Sequence, residues 1–346
     1  MKLKSTFTGM TGLILLLVIS IICATTVGSA DLSVSEVIQI LISHVKTLGH
    51  DASLSGAQLS KDVIIWQVRL PRILMSGLVG GALALVGASF QGCFRNPLAD
   101  PHILGVSSGA ALGATLAILS GISLNFIGLG TIGIFAFIGA VLTIFLVYYS
   151  AYFGGGSAMT NMLLMGTAIS TMLSAFISLI MTFHHNQIAE VYLWTMGSFS
   201  SASWEKILFV LIFIIIGGSV LFAHANAQNI MALGEDDAKC LGIDTDKVRL
   251  RLIAAASILV AASVSVSGIV GFVGLIIPHC VRILSGADYK RILPYSFLGG
   301  AIFLILCDTV ARTIAAPTEI PVGIITAVIG APYFIFLIIR KRVLSA

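Results

Sequence analysis

The feature that most constrains this chain is a single repeated one. Apolar stretches long enough to cross a hydrocarbon layer, roughly 17–25 residues each, recur from one end to the other. They lie near 10–30, 73–91, 103–120, 126–150, 159–183, 206–223, 252–269, 272–284, 293–311 and 321–339. Runs of this kind read as transmembrane helices, because a helix satisfies its own backbone hydrogen bonds where no water is available. The composition agrees, at 58% hydrophobic and 10% charged, against about 25% charged in an ordinary soluble domain. The expected architecture is an all-α polytopic membrane protein of about ten transmembrane helices, forming one transmembrane domain over 1–346. One glycine-rich run between 252 and 284 must be split to give two crossings.

The first stretch, MKLKSTFTGM then GLILLLVISIICATTVGSA, has the basic start, apolar middle and small-residue end of a secretory signal. It is long for a signal and more membrane sequence follows it, so it reads as a retained first span. Orientation follows from the basic residues, which favour the cytoplasmic side. With ten spans and both termini inside, that side collects Lys2, Lys4, Arg95, Lys239, Lys247, Arg249, Arg251, Arg282, Lys290, Arg291, Arg340, Lys341 and Arg342. Lys46, Lys61, Arg69, Arg72, Lys206 and Arg312 remain outside. The net charge of +4 is thus a topology signal and not a nucleic-acid footprint.

Two polar connections stand out. The outer one, 31–68, contains DLSVSEVIQILISHVKTLGH, whose apolar spacing predicts a short surface helix. The cytoplasmic one, 224–251, contains LGEDDAKCLG, a short amphipathic helix bounded by Gly234 and Gly242. PHILGVSSGA at 101–110 and PHCVRILSGA at 278–287 resemble each other about half a chain apart. An odd number of spans separates them, so the halves are expected to be inverted repeats.

Catalytic chemistry has no starting point here. GxxxxGK[ST] is absent and no lysine follows a glycine, so the chain cannot cradle ATP phosphates itself. The histidines are scattered, HExxH is absent, and Cys23, Cys93, Cys240, Cys280 and Cys307 show no CxxC spacing and read as packing residues. No catalytic residue, metal site or cofactor is expected. Apart from Lys206 and Arg282 at span ends, Asp308 is the lone acidic or basic residue inside a span, which argues against a proton- or sodium-coupled carrier. In RNPLADP, Pro97 and Pro101 remove backbone donors and Asn96 is pushed out of the helical region, so the preceding span must stop. The stretch is either a plain cytoplasmic turn or part of a gate.

Several motifs then accumulate in order: RLPR at 69–72, QGCFRNPLADPHILGVSSGA at 91–110, NMLLMG at 161–166, WTMGSF at 194–199, LGEDDAKCLG at 233–242, GIVGFVGLIIPHCVR at 268–282 and EIPVGIITAVIGAPYFIFLI at 319–338. As a set they resemble the FecCD-type permeases of bacterial ABC importers for iron-siderophores, haem and cobalamin. The resemblance implies a cobalamin-importer-permease-like fold in the bacterial cytoplasmic (inner) membrane. It implies a second permease subunit, two cytoplasmic ABC ATPase subunits, an extracytoplasmic substrate-binding protein and no nucleic acid. Under it, Arg69, Arg72 and Arg312 dock acidic residues of the binding protein. Gly234, Glu235, Asp236, Lys239, Leu241 and Gly242 form the ATPase-coupling segment. Asn96 and Leu98, with Met159 and Thr160, form the cytoplasmic gate, and Met165, Thr167, Ser170, Ser174 and Thr326 line the path. An iron-siderophore-type chelate is the expected cargo, with cobalamin or haem as alternatives.

Overall fold

The computed structural model describes residues 2–28, 33–47, 57–126, 128–153 and 158–344. Helix α1 (Lys2–Thr26) is followed by a surface helix α2 (Val34–Thr47), the helix expected within 31–50. Helix α3 (Ala57–Val63) passes through one π-helical turn, Ile64–Arg69, directly into α4 (Leu70–Cys93). The outer connection is therefore shorter than 31–68, because its last residues already extend a span. Then come α5 (Val106–Ser120), α6 (Thr131–Phe153), α7 (Ala158–Phe183), a short α8 (Ile188–Thr195) and α9 (Trp204–Ala223). The expected cytoplasmic connection is itself helical, as α10 (Ala225–Met231) and α11 (Glu235–Cys240). The chain closes with α12 (Thr245–Ser267), α13 (Val273–Ser285), α14 (Tyr289–Thr313) and α15 (Val322–Leu344). Among the described residues, seven helical stretches are long and apolar enough to cross a membrane. Three shorter apolar helices, Val106–Ser120, Val273–Ser285 and Val322–Phe336, bring the number to the ten expected.

Helix α4 is the centre of the bundle. Pro71 follows the π-helical turn and has no N–H to give to it, and the surface of α4 is apolar all round. Nearly every residue is buried, against α14, α12, α13 and α9. Lipid gives no hydrophobic drive for helix association, so contact has to come from close backbone approach. At the α4–α14 crossing a Cβ on Gly80 would lie 2.3 Å from the Gly300 carbonyl oxygen, and one on Gly300 would lie 2.3 Å from that of Gly80.

The two halves repeat a pattern of lengths. Helices α4 to α7 run 24, 15, 23 and 26 residues, and α12 to α15 run 23, 13, 25 and 23. The short second member starts in each case after a left-handed residue, Gly105 (φ 79°) or Phe272 (φ 68°). The halves are inverted. The start of α4 lies beside Asp308 and Glu319, at the end of the bundle where α12 finishes and α15 begins. The sequence pair that suggested the repeat is out of register, however: Pro101–Leu104 is a 3₁₀ turn ahead of α5, whereas Pro278 lies inside α13.

At 1.5 Å per residue, α5 and α13 span only about 22 and 20 Å of a hydrocarbon layer about 30 Å thick. Irregular segments 94–105 and 268–272 supply the rest, one from each end of the bundle. They meet at His102, whose Nε2 donates to the Val270 carbonyl at 3.1 Å while Nδ1 contacts the Ser107 hydroxyl. Backbone that leaves the helix at this depth is tolerated because protein groups satisfy it.

Candidate functional site

Three zones of the bundle carry the expected functional residues. At the first end, Arg69, Arg72 and Arg312 come together. Arg69 donates to the carbonyls of Thr25 (2.7 Å) and Thr26 (3.3 Å), and Arg312 Nη2 to that of Ala24. These are free carbonyls at the end of α1, which cationic side chains satisfy best. Arg72 holds two carboxylates. Its Nε and Nη2 donate to Asp308 at 3.0 and 2.9 Å, and Nη1 donates to both oxygens of Glu319 at 2.8 and 2.9 Å. Asp308 is buried, while the Glu319 side chain is 45% exposed on the α14–α15 connection. The three arginines are thus gathered at one end of the bundle, and all three are engaged inside the chain.

The second zone is the outward face of α7. Met162, Gly166 and Ile169 are buried towards the core, and an all-hydrocarbon cavity of about 320 Å³ lies on that side, lined in part by Gly109, Gly139, Ile169 and Met172. The opposite face carries Thr167, Thr171, Ser174, Ser178 and Thr182, all exposed and spaced three or four residues apart. Four of these hydroxyls donate within the helix: Thr167 to Leu164 (2.9 Å), Thr171 to Thr167 (2.9 Å), Ser178 to Ser174 (3.0 Å) and Thr182 to Ser178 (2.9 Å). With their protons committed, they offer mainly acceptor lone pairs outward.

Of the expected path residues, Thr167 and Ser174 belong to this stripe. Ser170 is half-buried and donates to the Gly166 carbonyl, and Met165 packs against the core. Thr326 is fully buried, donating to Gly323. Thr171, Ser178 and Thr182 are the stripe members that sequence reasoning missed, although their spacing from Thr167 and Ser174 was there to be read.

The third zone is the opposite end. Helix α4 stops in a Schellman arrangement: Asn96 N–H donates to Gln91 O and Arg95 N–H to Gly92 O, with Arg95 left-handed at φ 49°. Asn96 Oδ1 then accepts from Leu98 N–H at 2.9 Å, and the Leu98 side chain is exposed. Thr160, in the first turn of α7, is exposed too; Met159 lies in the same turn, its side chain outside the described residues. Helix α11 is pinned by buried Ala238 and by Glu235, which pairs with Lys239 (3.1 Å) and with Arg249 of α12 (3.4 Å). The Lys239 bond, followed by the Arg249 charge, holds the Glu235 carboxyl below its usual range. Asp236 and Lys239 point to solvent, Gly242 ends the segment at φ 80°, and Leu233 and Leu241 are exposed apolar knobs on either side. Leu233 was not anticipated. Among the described residues no group of three or more His, Cys, Asp or Glu could hold a metal ion.

Comparison with known proteins gives matches along nearly the whole chain. The profile of the FecCD transport family matches residues 15–340. The cobalamin import system permease protein of Halobacterium salinarum is 43% identical over 298 residues, 86% of this chain and 79% of that protein. The molybdate import system permease protein of Haemophilus influenzae is 40% identical over 333 residues, 96% and 95% of the two chains. A solved structure described as an inward-facing conformation of a metal-chelate type ABC transporter superposes with a TM-score of 0.82 at 35% identity, covering 96% of this chain and 99% of that one. A multi-pass bundle with broken second crossings, matched along nearly its whole length, belongs to the FecCD transport family, the permease subunits of ABC importers of the metal-chelate type.

Proposed function

We propose that this chain carries an iron-siderophore-type chelate across the bacterial cytoplasmic membrane, paired with a second copy of itself around a shared path. The observation that carries this reading is the hydroxyl stripe of α7. Five hydroxyls on one exposed face of a membrane helix are poorly matched to lipid, and another α7 opposite would enclose them in water. With four of the five protons committed within the helix, they make a wall that solvates a large polar cargo without holding it tightly. In this reading the stripe replaces the path residues Met165, Ser170 and Thr326, and keeps Thr167 and Ser174.

The remaining roles follow from where charge and exposed apolar surface lie. The binding protein docks over Arg69, Arg72 and Arg312 with its own carboxylates. Two ATPase subunits seat α11, with Glu235, Asp236, Lys239 and Leu241 at the contact and Gly234 and Gly242 bounding it. The pull of α11 reaches the bundle through Glu235 and Arg249. Asn96 and Leu98, together with Met159 and Thr160, close the path on that side until it does. Both termini lie on the ATPase side.

Cobalamin is the second reading, favoured by the 43% identity to a cobalamin import permease. Haem is a third cargo of the same size class. Reconstitution with its ATPase and binding protein, offered ferric siderophores, cobalamin and haemin in turn, is expected to give ATP-dependent uptake of the siderophore. Uptake driven by an ion gradient without the ATPase would overturn the importer mechanism. ATP-dependent uptake of cobalamin alone would overturn the cargo.

A further inference from the structure

The fork of Arg72 holds two carboxylates that differ in kind. Asp308 is 1% exposed, comes from within α14, and takes Nε and Nη2. Glu319 lies at the surface on the connection between α14 and α15, where residues 314–319 are all exposed, and it takes Nη1 with both oxygens. The inner carboxylate is needed to bury the guanidinium at all, because an unpaired charge there is costly. The outer one is not: Nη1 belongs to a side chain only 11% exposed, but the carboxylate it meets is 45% exposed, and another carboxylate of the same shape could take its place.

A second cation stands beside this pair: Arg312, whose Nε is buried without a hydrogen-bond partner among the described residues, lies within electrostatic reach of Arg72, Asp308 and Glu319. Vacating Glu319 would leave Arg72 and Arg312 facing one described carboxylate, Asp308, at the moment an acidic partner approached.

We propose that Glu319 is an internal stand-in for the docking carboxylate: it occupies Arg72 Nη1 in the undocked permease and is displaced by a carboxylate of the binding protein. The inference rests on the docking reading above and adds to it a competition. Docking is an exchange of one carboxylate for another, so the free permease never leaves its outer arginine unpaired, and the α14–α15 connection is released each time the partner seats. Since α15 begins three residues after Glu319, that release loosens the first turn of a membrane helix whenever cargo arrives.

A competitor, unlike an ordinary structural ion pair, weakens the interaction it competes with. Glu319→Gln, nearly isosteric and half in water, is therefore expected to tighten docking. Binding of the substrate-binding protein encoded beside this chain is measured on the permease–ATPase complex in nanodiscs, at low and moderate salt. Kd for Glu319→Gln is expected to fall about two- to fivefold below that of the unaltered complex, the range a half-exposed carboxylate–arginine pair is worth. A spin label on Thr318→Cys is expected to gain mobility on docking in the otherwise unaltered protein. Salt-independent docking of the unaltered complex would overturn the docking reading itself. Salt-dependent docking that Glu319→Gln leaves unchanged or weakens, or a label whose mobility does not rise, would overturn the exchange alone.

Discussion

At the scale of the residue, burial separates two carboxylates that share one arginine. Removing Asp308 strands a buried guanidinium, so Asp308→Ala is expected to cost about 3 kcal/mol, the lower edge of the range for breaking a buried pair because Glu319 remains. Glu319→Gln should cost less than about 1 kcal/mol, as exposed pairs do. Thermal inactivation of the two variants in one detergent measures the contrast, and equal losses would sink it. The sequence marks Asp308 as unusual by being charged inside a span. It does not say that Asp308 and Arg72, separated by 236 residues, are partners.

At the scale of the element, packing without hydrophobic drive makes small residues decisive. Gly80→Ala sets a methyl 2.3 Å from a backbone carbonyl that cannot move without moving α14. The expected result is overpacking worth about 1–3 kcal/mol or more, read as loss of monodisperse protein in size-exclusion chromatography. Gly12→Ala, where a Cβ would meet nothing within 4 Å, is the neutral control. The spans were legible because ten apolar runs have few other interpretations. The split between α12 and α13 was legible as a necessity of length, but its position, at a left-handed Phe272, was not: a bulky residue at positive φ is held there by its surroundings. Its ring packs over Gly330 of α15. The π-helical turn ahead of Arg72 was not read from the sequence either, although Pro71, which has no N–H for the turn before it, stands just after it.

At the scale of the whole molecule, one exposed polar stripe organises the proposed path. Single cysteines at Thr171 and Ser178, in a chain freed of its native cysteines, are expected to react with a membrane-impermeant maleimide in the assembled importer. A cysteine at Phe176, on a lipid-like flank of the same helix, is expected to stay unreacted; equal labelling at all three positions would remove the stripe from the path. The family resemblance leads one to expect a path of hydroxyls and a methionine. Which hydroxyls face outward depends on how α7 is rotated against α5 and α6, and that rotation is set by tertiary contacts such as Gly166 against the Ile103 carbonyl.

The meeting of the two broken crossings bears on biogenesis. The first half enters the membrane with the irregular segment 94–105 already in place, yet the Val270 carbonyl that receives His102 is encoded 168 residues later. Until the ribosome delivers it, the His102 Nε2 lacks the acceptor it has in the finished fold. Insertion of this chain is therefore completed backwards, with α12 to α15 closing the break left between α4 and α5, and a nascent chain stalled before residue 268 is a natural client for the membrane's quality-control proteases.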